Sequence, residues 1–421
     1  AFSDNTGKDK PMTKINVLIV FVLIISFLFS SYILVYKHDK VSLSNGQATL
    51  WDTNTVELAN KICADCDTDE ENVIANLIES IKEQTYKYID IYVIADNCDD
   101  TTAEVARLHG ATVYERFDEN KKSKGFALEW FFEKILLEKS NEYDAFCIFD
   151  ADNIVSKDFF ETMNTKLCQG EKIVQGYRDI SNAGDTWVSA NYAIFYWTMN
   201  RCYHYARYKL GLSPLINGTG FMVSMDIIKE KNGWHSDTLT EDIEFSIENI
   251  IKNQKIGWAQ DAVVYDEQPL KFKQSFRQRL RWSVGHLQCF QKFFCEFLKL
   301  NKFNATTIDT LIYTLGMPMI LFSIIITIID IIKVLFIKQF NYTTLIGGLK
   351  FTALTMLISM LQALLITIIE KKSVKKVWKG IATYPIFLVS WFVINVMAFF
   401  NKNLEWKPIT HLGSKDINET S

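Results

Sequence analysis

A chain of 421 residues is too long for one compact core, so one large or two smaller units are expected. The net charge of −4 is small for that length and argues against a nucleic-acid binder, whose affinity would rest on a basic surface. Apolar residues make up 48% of the chain, but four segments hold most of the excess, and the middle reads as an ordinary soluble α/β protein.

After a tail at 1–14, the segment 15–36 runs from Ile15 to Tyr36 without a charge, about 22 residues, enough to cross a hydrocarbon core of about 30 Å. Lysines precede it, as in a signal peptide. The run is longer than the usual roughly 7–15 residues and no Ala-x-Ala-like site follows, so a retained anchor is expected. Between residues 68 and 265 strands and helices alternate, which predicts a mostly parallel sheet with helices on both faces, in a domain spanning 37–270. Thr68-x-x-Glu71 is a capping-box pattern for a helix over Asp69–Gln84. Ile89–Ala95 reads as a buried strand ending at Asp96, and Thr101-x-x-Glu104 caps a helix that closes at His109-Gly110. Ala111–Tyr114 is a short strand, Lys124-Gly125 leads into a helix, and Asp144–Phe149 is a strand ending at Asp150. Ligands of open α/β sheets bind beyond the carboxyl ends of strands, where Asp96 and Asp150 both fall.

The aromatic stretch Trp187–Leu210, with Arg201 and Arg207, reads as an amphipathic helix lying against the domain or the membrane. Asn217-Gly218-Thr219-Gly220-Phe221 follows. Its glycines let backbone pass close to a ligand and Phe221 offers an apolar face, while a tight turn into a strand is the equal alternative. Interfacial helices over 271–300 carry Arg277-Gln278-Arg279-Leu280-Arg281-Trp282, and anionic headgroups would account for Arg277 and Arg279. Spans at Ile308–Ile337, Thr343–Ile369 and Trp378–Phe400 fill 301–400, before a tail at 401–421. Gly316-Met317-Pro318 should kink the first span or split it, and Asp330 and Lys333 should pair on one face and snorkel to the interface. The basic loop Glu370–Lys376 belongs in the cytoplasm; counting back through two spans puts the middle domain there too, in a multi-pass protein of the plasma membrane. The eight cysteines form no framework, so free thiols are expected in that reducing compartment. Cys63-x-x-Cys66 has no second pair at zinc spacing.

The ordered carboxylates permit transfer from a nucleotide-activated sugar, which needs a neutralised diphosphate, a deprotonated hydroxyl and in-line reactants. Asp150 and Asp152 flank one residue at a strand end and can reach a single Mg²⁺ or Mn²⁺. Asp152 is the expected metal ligand, and Asp150 the carboxylate that touches the donor. Asp242, after Thr240, is the candidate general base, with Glu241 in support. Lys124 and Arg281 are candidates for the diphosphate charge, and Trp282 for stacking on the acceptor sugar.

With Asp96, Asp150-Ala151-Asp152, Thr240-Glu241-Asp242 and Gln278-x-x-Arg281-Trp282 in this order, the chain resembles the family 2 glycosyltransferases that build polysaccharides at membranes, among them cellulose, hyaluronan and poly-N-acetylglucosamine synthases. The resemblance covers roughly residues 68–411. It implies a GT-A (Rossmann-like) domain combined with transmembrane α-helices. It also implies an inverting, processive transfer from a UDP-sugar, best UDP-N-acetylglucosamine, into a β-linked polysaccharide passed across the membrane. Asp96 then resembles the uridine contact, and Gln278 and Arg281 hold the donor. Gly220, Phe221, Glu267 and Trp282 lie on the acceptor side. The partners implied are the donor, the growing polymer and membrane lipid, with a small accessory membrane subunit left open and no nucleic acid. Trp406–His411 also resembles the poly-N-acetylglucosamine branch. The stretch Lys61–Glu71 departs from the family pattern, with Asp65 and Asp67 where apolar or small residues are usual. Either the first strand is shifted, to Val56–Ile62, or donor binding is weakened. Two further readings remain: a non-processive transferase that glycosylates a lipid, and a catalytically inactive scaffold of the same fold.

Overall fold

The computed structural model describes residues 58–65, 73–336 and 342–401. The expected first span, Cys66 to Glu71 and the Trp406–His411 motif lie outside the described residues. An eight-stranded sheet organises the domain, in the order β3-β2-β1-β4-β7-β6-β8-β5. Its first half is β1 (Leu58–Asp65), β2 (Ile89–Asp96), β3 (Thr112–Arg116) and β4 (Ala145–Asp150). The second half is β5 (Ile154–Val155), β6 (Ile173–Ile180), β7 (Phe221–Ser224) and β8 (Ile256–Asp266). β4 is apolar from Ala145 to Phe149 and buried throughout that run, as a strand covered on both faces must be. β1 lies between β2 and β4 and is parallel to both, so the chain direction across the sheet reverses there. That is where an open α/β sheet leaves a crevice, flanked by Asp96 and Asp150. β1 ends on Asp65, in register with Asp96. The shift to Val56–Ile62 is therefore not seen, and Asp65 sits at a strand end, where a polar residue costs less than inside the sheet.

One face of the sheet is packed by α1 (Ile74–Lys82), α2 (Thr102–Leu108) and α4 (Phe159–Cys168), around Phe149, Phe159 and Phe160. The other carries α3 (Lys124–Glu138), α7 (Met225–Lys231) and α8 (Glu241–Ile251), where Trp234 stacks on Phe245 at 4.1 Å. The cap of α2 differs from expectation: the Thr101 side chain makes no cap bond, and the Asp100 carboxylate accepts the Thr102 N–H at 3.0 Å.

The stretch from Trp187 is α5 (Trp187–Thr198), a π-helical segment (Met199–Tyr205) and a last turn, α6 (Ala206–Lys209). α5 is buried on nearly all sides rather than amphipathic. One flank meets the sheet, and the other meets α12 (Val374–Phe400), where Gly380 lets Ala190 approach. α9 (Phe272–Leu298) then leads to three helices long and apolar enough to cross a membrane, within α10 (Ala305–Phe336), α11 (Tyr342–Ile369) and α12. α10 continues unbroken through Pro318, so the expected split does not occur. The Asp330 side chain lies outside the described set. The turn between α11 and α12 docks on the domain. Glu370 accepts hydrogen bonds from Arg201 at 2.5 Å and Tyr177 at 2.7 Å, and Lys372 pairs with Asp179 at 2.5 Å. Cys147, Cys168, Cys202, Cys289 and Cys295 are free thiols, but Cys98 is disulfide-bonded, against the expectation for that residue.

Candidate active site

β4 runs out at Asp150, and the turn that follows is locked to the 217–220 loop. The Asp150 N–H donates to Asn153 Oδ1 at 3.2 Å and to Thr219 Oγ1 at 3.0 Å. Asp266, the last residue of β8, comes beside this turn. Carboxylate oxygens of Asp150, Asp152 and Asp266 lie within 4.8 Å of one another. Such crowding is repulsive: burial, and then the charges of Asp266 and Asp150, push the Asp152 carboxyl well above its ordinary range, with Arg178 opposing. Three hard oxygen donors with excess negative charge fit Mg²⁺ or Mn²⁺.

Lys124, the first residue of α3, donates to Asp150 Oδ1 and, at 2.7 Å, to the Gly218 carbonyl. α8 opens with Glu241 and Asp242. Burial raises the Glu241 pKa, with the positive charges of Lys124 and Arg281 opposing. Asp242 is pushed up to about 7, by burial first and then by Glu241, while the Ile243 N–H it accepts, at 2.8 Å, opposes. Glu241 thus lies in the fields of Lys124, Arg281 and Asp150, and Asp242 in those of Glu241, Lys124 and Arg178.

Asp96 closes β2 and is 3% exposed, paired with Arg116 at 2.5 Å. Burial raises its pKa despite that arginine, and its second oxygen has no partner among the described residues. A cavity of about 300 Å³ opens beside this pair, lined in part by Phe117, Lys121, Phe126 and Trp130; it includes none of Asp150, Asp152, Asp242 or Asp266.

On α9, Gln278 accepts from the Tyr192 hydroxyl at 2.7 Å and Trp282 meets the Tyr192 ring edge-on at 6.1 Å, so both lie against α5. Arg279 does not face headgroups. It is fully buried, over the Phe387 ring at 4.2 Å and donating to Ser390 Oγ at 2.7 Å, because α9 packs directly on α12.

Two acceptor-side expectations are corrected. Phe221 is 1% exposed and packs against Trp234, since β7 is covered on both faces and all four of its residues are buried. Gly220, at φ +63, is required by close packing: a Cβ there would strike Val264. Gly218 is the glycine that faces chemistry; a Cβ there would lie 3.6 Å from Asp242 Oδ2. Glu267 is half-buried, and its charge adds to the field on Asp152. Sequence reasoning did not single out Asp266 as a partner of the Asp150–Asp152 pair, and it missed Arg178. The available signal was Arg178-Asp179 in a stretch that begins Ile173-Val174 and reads as a strand.

Residues 66–285 match the family model described as "Glycosyltransferase like family 2". A probable glycosyltransferase YdaM of Bacillus subtilis is 26% identical over 251 residues, 55% of this chain and 56% of that protein. The beta-monoglucosyldiacylglycerol synthase of Trichormus variabilis is 26% identical over 258 residues, 59% of this chain and 53% of that protein. The chain thus spans about half the length of these curated relatives. The mannosyltransferase PcManGT from Pyrobaculum calidifontis, solved in complex with GDP-Man and Mn²⁺, superposes with a TM-score of 0.54 at 12% identity, over 92% of this chain and 97% of that one. That likeness is one of fold, and the fold is GT-A.

Proposed function

This chain belongs to glycosyltransferase family 2, and from that premise we propose that it is a membrane-bound, inverting, processive transferase that polymerises a sugar, best N-acetylglucosamine from its UDP donor, into a β-linked polysaccharide. The observation that carries the reading is the convergence of Asp150, Asp152 and Asp266 with Lys124, Glu241 and Asp242, with the Arg281 charge acting on Glu241, where α8 and α9 pack against the membrane spans. Asp152, Asp150 and Asp266 would hold the divalent cation, and a cation bound there supplies positive charge to the donor diphosphate. Lys124 and Arg281 add fixed positive charge as the bond between the anomeric carbon and the diphosphate oxygen breaks. Asp242 accepts the acceptor hydroxyl proton while that oxygen bonds to the anomeric carbon. Trp282 and Glu267 border the acceptor side, and Asp96 borders the nucleoside. Gln278 orients α9 through Tyr192.

The domain organisation follows from the same reading: a catalytic domain at 37–270, interfacial α9, then the spans. Docking of the Glu370–Lys372 turn on the domain supports having both on one side of the bilayer, and the lysines of that turn favour the cytoplasmic side of the plasma membrane. Similarity to a beta-monoglucosyldiacylglycerol synthase favours a second reading, in which a single sugar is added to a lipid.

The test uses full-length protein in nanodiscs with a panel of UDP-sugars and GDP-mannose. Metal-dependent nucleoside diphosphate release and a product ladder cut by a β-linkage-specific hydrolase are expected. A single-sugar lipid adduct with every donor would move the assignment to the second reading. Absence of release from any donor would overturn both.

A further inference from the structure

Every position of β6 is buried, yet the strand carries a guanidinium and a carboxylate side by side. Alternation sends them to opposite faces. Asp179 is accounted for by Trp197 Nε1 at 2.7 Å and by Lys372. Arg178 faces the site. Its Nε and Nη2 donate to Asp266 Oδ2 at 2.9 and 2.5 Å, its Nη1 donates to the Asn217 carbonyl at 2.7 Å, and its guanidinium covers the Tyr196 ring at 4.5 Å.

We infer that Arg178 is a positioning residue of the transfer site, holding Asp266 beside Asp150 and Asp152 and pinning the turn that sets Gly218 against Asp242. The inference rests on the transferase reading. Asp266 Oδ2 is taken up by Arg178 and Gln268, while Oδ1 accepts from Asn153 at 3.0 Å, so the orientation of the carboxylate is fixed. Asn153 in turn accepts from the Asp150 N–H and the Thr219 hydroxyl, which closes the network on the 217–220 loop. At the other end of the guanidinium, a Cβ on Gly218 would lie 3.7 Å from Arg178 Nη1 and 3.6 Å from Asp242 Oδ2. One planar group therefore spans from the carboxylate cluster to the edge of the base. A lysine cannot reproduce this, because its single ammonium reaches one of the two anchors and not both. The charge also has an electrostatic role, opposing the upward shift of both Asp152 and Asp242.

The experiment uses full-length protein in nanodiscs, with Mn²⁺ affinity read by electron paramagnetic resonance without donor, alongside kcat, donor KM and thermal midpoint. Arg178→Lys is expected to weaken Mn²⁺ binding at least tenfold and to lower kcat about a hundredfold, with donor KM changed much less. Asp179→Asn, on the opposite face of the same strand, should leave Mn²⁺ affinity unchanged. Should Arg178→Lys fail to fold, Arg178→Gln leaves Asp266 in the cluster and keeps a side-chain amide that can donate to only one of the two anchors. That variant should fold, with weak Mn²⁺ binding and no transfer. Mn²⁺ affinity within twofold of wild type together with unchanged kcat, in either variant, would overturn the inference. Wild-type protein that releases no nucleoside diphosphate from any donor would instead overturn the transferase reading on which it rests.

Discussion

Replacing Asp242 by asparagine should abolish transfer and stabilise the protein above neutral pH. The Asp242 carboxyl sits near 7, against an ordinary value of 3.8. Three pH units correspond to an upper bound on the order of 4 kcal/mol, and to about half that once solvent screening of a partly exposed group is allowed for. The native state holds this proton from about pH 4 to 7 while the unfolded chain has lost it. Stability therefore falls as pH rises through that window and stays at the reduced level above 7. Asparagine never ionises, so the loss disappears and the melting temperature at pH 8 should exceed wild type by a few degrees. Activity moves the other way: loss of a general base costs about 10²–10⁴-fold in kcat. In the wild type, kcat should rise with pH through about 7, with roughly one tenth of it left one unit lower. Glu241→Gln removes the neighbouring charge and should shift that limb to lower pH. Nucleoside diphosphate release at saturating donor, from pH 5.5 to 9, paired with melting curves, measures both. A flat profile across 7, or an Asp242→Asn variant retaining a tenth of wild-type kcat, would refute the assignment.

Gly220→Ala should destabilise the fold by about 2–3 kcal/mol, because the new methyl enters Val264 at a positive φ. Gly218→Ala, at φ +93 with open contacts, should cost about 1–2 kcal/mol and lower kcat; melting and rate measurements separate the two. Arg279 has no carboxylate partner among the described residues, so Arg279→Met should hold its melting temperature while Arg279→Glu should fail to fold in membranes. Chelation by EDTA should remove activity and Mn²⁺ restore it, with Asp152→Asn needing at least tenfold more metal, as a titration of rate against Mn²⁺ would record.

The strands that end at Asp96 and Asp150 were legible because each closes on an apolar run, from Ile91 to Ala95 and from Ala145 to Phe149, up to the aspartate that ends it. α5 was misread because its arginine-flanked aromatic pattern matches a half-exposed helix. The partners that bury it come from the sheet and from α12, and those that neutralise Arg201 and Arg207, Glu370 and Asp309, lie 169 and 102 residues away. No local period encodes such pairings. The same holds for Arg178 and Asp266, 88 residues apart and joined only when β6 and β8 pair in parallel. Phe221 and Gly220 were placed on the acceptor side by resemblance; the cover on both faces of β7 and the close approach of Val264 come from elements distant in sequence, which no local pattern encodes. Pro318 was expected to kink or split its span; the helix runs through it, as spans tolerate proline where the freed backbone carbonyl is satisfied by its surroundings.

The docked turn between α11 and α12 bears on how the protein can be dissected. Asp179 and Glu370 have side chains only 6% and 4% exposed, and each has its counter-charge on the other side of the junction between domain and spans. A catalytic fragment cut at residue 300 would keep Asp179 and Arg201 but lose Lys372 and Glu370, and it would expose the apolar flank of α5. Such a fragment should aggregate or bind detergent, which light scattering would reveal. Enzyme and anchor are in this respect a single folding unit, and the bilayer-facing helices supply part of the interior of the water-facing domain.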